Sequence, residues 1–192
     1  MILSESFSIS TSLSSYAKEI NESLTQLTNK SFDNIVSYDI DCTLLSDFGK
    51  SIECEKTLKF ITDLEQFIDI PAVYWFEIVS EHTTLEIYNS AISLKENSLR
   101  KLPAHKKLFS KWDSKVLYVG KVKSNISGRM YVHLGYHRAP TIQGLQLCHW
   151  VNIEGLKLRL NVIYLPKNLD MLAGTFEFHL AKQLHPILGK HR

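Results

Sequence analysis

Two short apolar runs constrain the fold of this chain most. Residues 73–79 hold Tyr74, Trp75 and Phe76 shortly after Pro71, and residues 116–119 hold Tyr118 and close at Gly120. Runs this short, rich in β-branched and aromatic residues and bounded by Pro or Gly, read as buried strands. Residues 156–165 alternate instead. Leu156, Leu158, Leu160, Val162 and Tyr164 fall on one side, Lys157, Arg159 and Asn161 on the other, and Pro166 ends the segment. That is the pattern of a half-buried strand. Residues 84–88 alternate well enough to be the hairpin partner of the first run.

The helical periods lie around these strands. Over 12–30, Leu13, Ala17, Ile20, Leu24 and Leu27 recur at steps of four and three and make one face. This stripe packs within its own chain or on a second copy as a homodimer. It is too short for an independent coiled coil, so intramolecular packing is expected. Residues 1–10 read as a flexible or strand-like lead-in, and 31–50 as irregular, with Asp39 and Asp41 flanking Ile40. A second helix is expected from Ser51 or Ile52 to Phe67, with Glu53 and Glu55 in its first turn and Pro71 forbidding its continuation. Residues 90–113 read as basic and helical or irregular, 126–136 and 141–150 as helices, and 172–184 as a last helix stopped by Pro186. The expected fold class is α+β, a small antiparallel β-sheet flanked by helices. Residues 1–70 form a helical N-terminal extension and 71–192 the main domain.

The 192 residues are 44% hydrophobic and 22% charged, enough to bury a core. No apolar run approaches the roughly 20 residues that span a bilayer, so no membrane partner is expected. The first 15 residues lack a signal pattern, which makes a cytoplasmic location the default. Cys42, Cys54 and Cys148 have no metal-binding spacing and read as reduced core thiols. The net charge of +2 conceals an asymmetry: residues 1–94 hold 5 Lys/Arg against 15 Asp/Glu, and residues 95–192 hold 17 against 5. The basic second half points to an anionic partner. Binding to nucleic acid should weaken with salt, with Lys101, Lys106, Lys107, Lys123 and Arg138 meeting phosphates without reading bases.

Several residues then stand out by spacing. Gly120-Lys121 follows the second strand, where a glycine permits close backbone approach and Lys121 can lie over a tyrosine or a phosphate. Arg129 and His133 lie four apart on one helical face, with His137 a turn further on. An Arg so placed can fork onto phosphate oxygens. Glu177 sits on the last helix, alone in a basic, largely apolar region, as a salt-bridge partner or a hard oxygen ligand. Taken singly, each of these residues is more often structural.

Together they resemble the GIY-YIG nuclease family. The first family motif ends in Tyr, as Val73-Tyr74 does, with Ala72 in place of Gly. The second is matched by Tyr118-Val119-Gly120, the helical Arg by Arg129, and the His or Tyr one turn on by His133. The family's metal-binding Glu is matched by Glu177, which opens a run to Pro186. The two tyrosines are 44 residues apart, so about 80–113 is an insertion. Gly189 stands where the family often has Asn. The resemblance implies a divalent-metal-dependent endonuclease acting on DNA, with RNA not excluded, and Mg²⁺ or Mn²⁺ held by Glu177. On this reading Tyr74 is the general base, its pKa lowered by Lys121, Arg129 and the metal. Tyr118 orients water or phosphate, Arg129 neutralises developing charge, His133 contacts phosphate or relays a proton, and His149 lies outside the site. All five motif residues are expected in one cleft. A domain that binds nucleic acid without cutting it, and an interaction module built on the acidic N-terminal helices, are the competing readings.

Overall fold

The computed structural model describes residues 2–29, 35–45, 55–105 and 113–190. Its elements, in chain order, are α1 (Ile2–Asn29), β1 (Ile35–Asp41), α2 (Glu55–Glu65), β2 (Ala72–Ile78), α3 (Thr84–Asn97), β3 (Val116–Val122), α4 (Ile126–Leu134), β4 (Lys157–Tyr164) and α5 (Ala173–Leu184). Short 3-10 turns occupy Cys42–Leu45, Leu147–His149 and Lys167–Leu172. The strands form one antiparallel sheet in the order β1-β4-β2-β3. The protein is α+β, as its strand and helix periods require.

Side-chain alternation along β2 divides the molecule into layers. Ala72, Tyr74, Phe76 and Ile78 face the main core, where Leu64 of α2, Ile87 of α3 and Ile126, Met130 and Leu134 of α4 cover them. Val73 and Trp75 face the other way, onto Ala173, Leu180 and Ala181 of α5. Tyr74 and Phe76 are both 0% exposed. Burial of such a side chain contributes on the order of 1.5–3 kcal/mol. No helix among the described residues is long and apolar enough to cross a membrane.

The structure corrects four expectations. Residues 2–10 are not a loose lead-in: α1 starts at Ile2, and Ile9, four residues before Leu13, continues the apolar stripe. Only the second half of the stripe packs internally. Tyr16 donates a hydrogen bond to Met171 Sδ at 3.7 Å, and Asn168 holds Glu19 and Ser23, while Ile9 and Leu13 stay 61% and 64% exposed. Residues 31–50 are not all irregular. In β1, Val36, Tyr38 and Ile40 point inward and Ser37, Asp39 and Asp41 outward, so a strand hid behind its polar alternate positions. Residues 84–88 are not a strand. Thr83 and Glu86 make a capping box, with Glu86 N–H on Thr83 Oγ1 at 3.2 Å and Thr83 N–H on Glu86 Oε2 at 2.8 Å. Ile87 and Ala91 bury one turn apart on the resulting helix. Residues 141–150 are largely loop, because the backbone turns left-handed at Gln146 (φ 55). The expected start of the second helix at Ser51 or Ile52, and Cys54, lie outside the described residues. Cys42 and Cys148 are free and buried, and burial pushes their thiols up to about 12 and about 11.

Candidate active site

The site is assembled from the pairing of β2 with β3. Tyr74 lies opposite Gly120 and Phe76 opposite Tyr118, so both tyrosines project to the main-core face. Their ring centroids are 6.4 Å apart. A Cβ on residue 120 would lie 2.6 Å from Tyr74 Oη and 2.7 Å from Tyr118 Cε1. Glycine there opens the space through which Tyr74 reaches across the neighbouring strand toward α4.

α4 begins at Asn125, whose side chain accepts from Gly128 N–H, and the helix period sets Arg129 and His133 on the side facing the tyrosines. His133 is 0% exposed. Leu145 N–H donates to its Nδ1 at 3.1 Å, so in the neutral ring the proton sits on Nε2 and points at Tyr74 Oη, 2.8 Å away. Burial, reinforced by the charge of Arg129, holds the imidazole well below its ordinary pKa and therefore neutral. Arg129 Nε donates to the same phenol oxygen at 3.2 Å, Nη1 donates to Gln143 C=O at 2.8 Å, and the guanidinium is also hydrogen-bonded to Tyr118. Tyr74 thus has two N–H donors aimed at its oxygen.

This geometry redistributes the expected roles. Tyr74 has no exposed surface, and burial pushes its phenol far above the ordinary value; Tyr118 adds to the rise and Arg129 opposes it. A general base must reach the proton it removes, and Tyr74 presents no surface to the cleft. His133 is equally enclosed, with both ring nitrogens committed. Lys121 does not lie over the tyrosines. It projects to the α5 side of the sheet, passes Gly174 and pairs with Glu177 Oε2 at 3.4 Å.

Tyr118 is the tyrosine that meets solvent. It lines a cleft of about 390 Å³ with Glu177, Gln143, Pro103, Ala104, Gly189 and Lys190. Glu177 belongs to α5, which packs on the opposite face of the sheet, and it enters the cleft past β3, the edge strand. The chain after Pro186 closes that edge. Ile187 N–H and Leu188 N–H donate to Val116 C=O and Leu117 C=O at 2.9 Å each, and Gly189 N–H donates to Ala104 C=O at 2.6 Å. Burial raises the Tyr118 phenol, Arg129 opposes the rise and Glu177 adds to it.

The single cleft expected for the five motif residues is therefore formed only in part: Tyr118 and Glu177 line it, Arg129 is bonded to its wall through Tyr118 and Gln143, and Tyr74 and His133 are buried behind. The other residues singled out in the sequence lie elsewhere. Lys123 pairs with Asp170 at 3.3 Å, Arg138 and Lys101 are exposed, and Lys106 and Lys107 lie outside the described residues. His137 follows the end of α4 and accepts from Ala139 N–H, so the Arg129–His133 stripe stops at His133. His149 is bonded to Gly135 C=O at 3.0 Å, away from the cleft. Gln143 and Lys190 carried no periodic or motif signal; only the folded chain brings them to the cleft.

Among the described residues no group of three or more His, Cys, Asp or Glu converges. One carboxylate facing a cleft fits an octahedral divalent ion that keeps waters and takes substrate phosphate oxygens as further ligands. The sequence matches no protein-family model, no curated protein and no solved structure.

Proposed function

We propose that this chain is a divalent-metal-dependent endonuclease of GIY-YIG type that hydrolyses phosphodiesters in DNA. The observation that carries the reading is the gathering of five residues from two strands and two helices distant in sequence: Arg129 bridges Tyr74 and Tyr118, and Glu177 faces the same cleft as Tyr118. Phosphodiester hydrolysis rests on positioning and charge neutralisation, and the cleft offers groups for both. Mg²⁺ or Mn²⁺ held by Glu177 would supply charge neutralisation at the phosphate. Tyr118, the solvent-facing phenol, takes the position of the general base in place of Tyr74. Its pKa is raised partly by Glu177, so neutralising that carboxylate favours loss of the Tyr118 proton. Arg129 is held by Gln143 C=O and both phenols, which fixes a positive charge beside Tyr118. His133 and Tyr74 keep that guanidinium oriented.

The burial of Tyr74 and the glycine at 189 favour a second reading, a nucleic-acid-binding domain that does not cut. A plasmid-nicking assay with Mg²⁺ and with chelator separates the two. Nicking that requires the metal supports the nuclease, and salt-sensitive binding without nicking supports the second reading.

A further inference from the structure

Two cations stand close to Glu177 or Tyr118 without being free to meet a ligand. Lys121 is paired with Glu177, and Arg129 is bonded to Tyr74, Tyr118 and Gln143. Lys190 differs. It lines the cleft with Tyr118 and Glu177 and makes no ion pair with a described residue. Its backbone is not a loose tail. Ile187 and Leu188 are 0% and 1% exposed and bonded to β3, and Leu188 bridges both Tyr118 and His105. Gly189 then turns the chain with φ 112, a conformation open to glycine, and delivers Lys190 to the rim. Burial lowers the pKa of the neighbouring His105, Lys95 and Lys190 add to the fall and Glu96 opposes it, so the Lys190 charge acts on this side of the C-terminal segment.

We propose that Lys190 is a substrate-contacting residue that binds a phosphate of the nucleic-acid strand lying in the cleft. The inference rests on the nuclease reading and adds a residue outside the motifs that suggested it. A flexible ammonium acts as a point charge toward phosphate. Contact with one phosphate releases condensed counterion, so it contributes about 0.9 to the slope of log K against log salt on duplex DNA. Lys157, an exposed lysine on β4 that lines a different cavity with Asp39 and Asp41, serves as the control for unspecific charge.

The experiment measures binding of a fluorescein-labelled DNA duplex in Ca²⁺ across a salt series, for wild type, Lys190→Ala, Lys190→Arg and Lys157→Ala. Urea midpoints of each variant are measured alongside, to separate binding from folding. Lys190→Ala should weaken binding and reduce the salt slope by about 0.9, Lys190→Arg should restore both, and Lys157→Ala should leave the slope unchanged. Equal losses in Lys190→Ala and Lys157→Ala, or no loss in Lys190→Ala, would overturn the assignment of Lys190 and leave the nuclease reading standing. Wild type that binds no duplex at low salt would overturn both.

Discussion

Removing the Tyr74 hydroxyl should destabilise the fold more than its single oxygen suggests. Tyr74→Phe keeps the ring but leaves His133 Nε2–H and Arg129 Nε–H without the acceptor they now share at 2.8 and 3.2 Å. Both Tyr74 and His133 are 0% exposed, so no water replaces the oxygen. A neutral buried donor left unpaired costs about 1–3 kcal/mol, and a hydrogen bond from a charged donor is worth about 1.5–3. Arg129 is only half-buried and resolvates in part, which places the total at about 2–4 kcal/mol. With an m value of about 2 kcal/mol per M, the urea midpoint drops by about 1–2 M. In a His133→Asn background the same change should cost about 1 kcal/mol less, because one of the stranded donors is already gone. Equilibrium urea unfolding reads both numbers. A midpoint shift below about 0.3 M, within the ordinary range of surface substitutions, would refute the two-donor arrangement.

The buried His133 sets a second expectation. Its folded pKa is depressed, whereas the unfolded chain takes up the proton near pH 6.5. The unfolded state then binds more protons, so stability is full above about pH 6.5 and falls below it. The slope is up to about 1.4 kcal/mol per pH unit, continuing down to the folded pKa. His105 and His149 are shifted the same way. The share of His133 is therefore the difference in slope between wild type and His133→Gln in urea midpoints from about pH 8 to about pH 5, and a zero difference contradicts the assignment. At Gly189, φ is 112, and an L side chain held in such a region costs about 1–3 kcal/mol. Gly189→Asn should accordingly lower the urea midpoint and not improve any cleavage; an unchanged or raised midpoint would show that the turn relaxes without strain.

The sheet was legible where burial dictated the residue choice. Residues 73–79, 116–119 and 156–165 announced three of the four strands, because inward positions there had to be apolar. β1 escaped because it lies at the sheet edge with Asp39 and Asp41 at its outward positions, one of them bonded to Arg159 at 2.7 Å. α3 escaped because alternation over a few residues outweighed the Thr83–Glu86 capping signal. At the site, the four-residue step from Arg129 to His133 correctly implied a shared face. Which tyrosine meets water did not follow from sequence, since it depends on what covers each strand: α4 and the 140–146 loop seal Tyr74, while Tyr118 opens at the edge. The turn at Gly189 that brings Lys190 to Tyr118 is a long-range product of the C-terminal segment pairing with β3.

In the proposed function, Glu177 and the groups around Tyr118 cut a phosphodiester. Single-turnover cleavage of a labelled DNA duplex in Mg²⁺, with binding measured in parallel in Ca²⁺, tests it most directly on wild type and Glu177→Ala. Wild type should cut, Glu177→Ala should not, and the variant should bind the duplex at least as tightly, having lost a negative charge beside phosphate. Cleavage by Glu177→Ala at the wild-type rate, or a wild-type protein that binds duplex and leaves it intact, would contradict it.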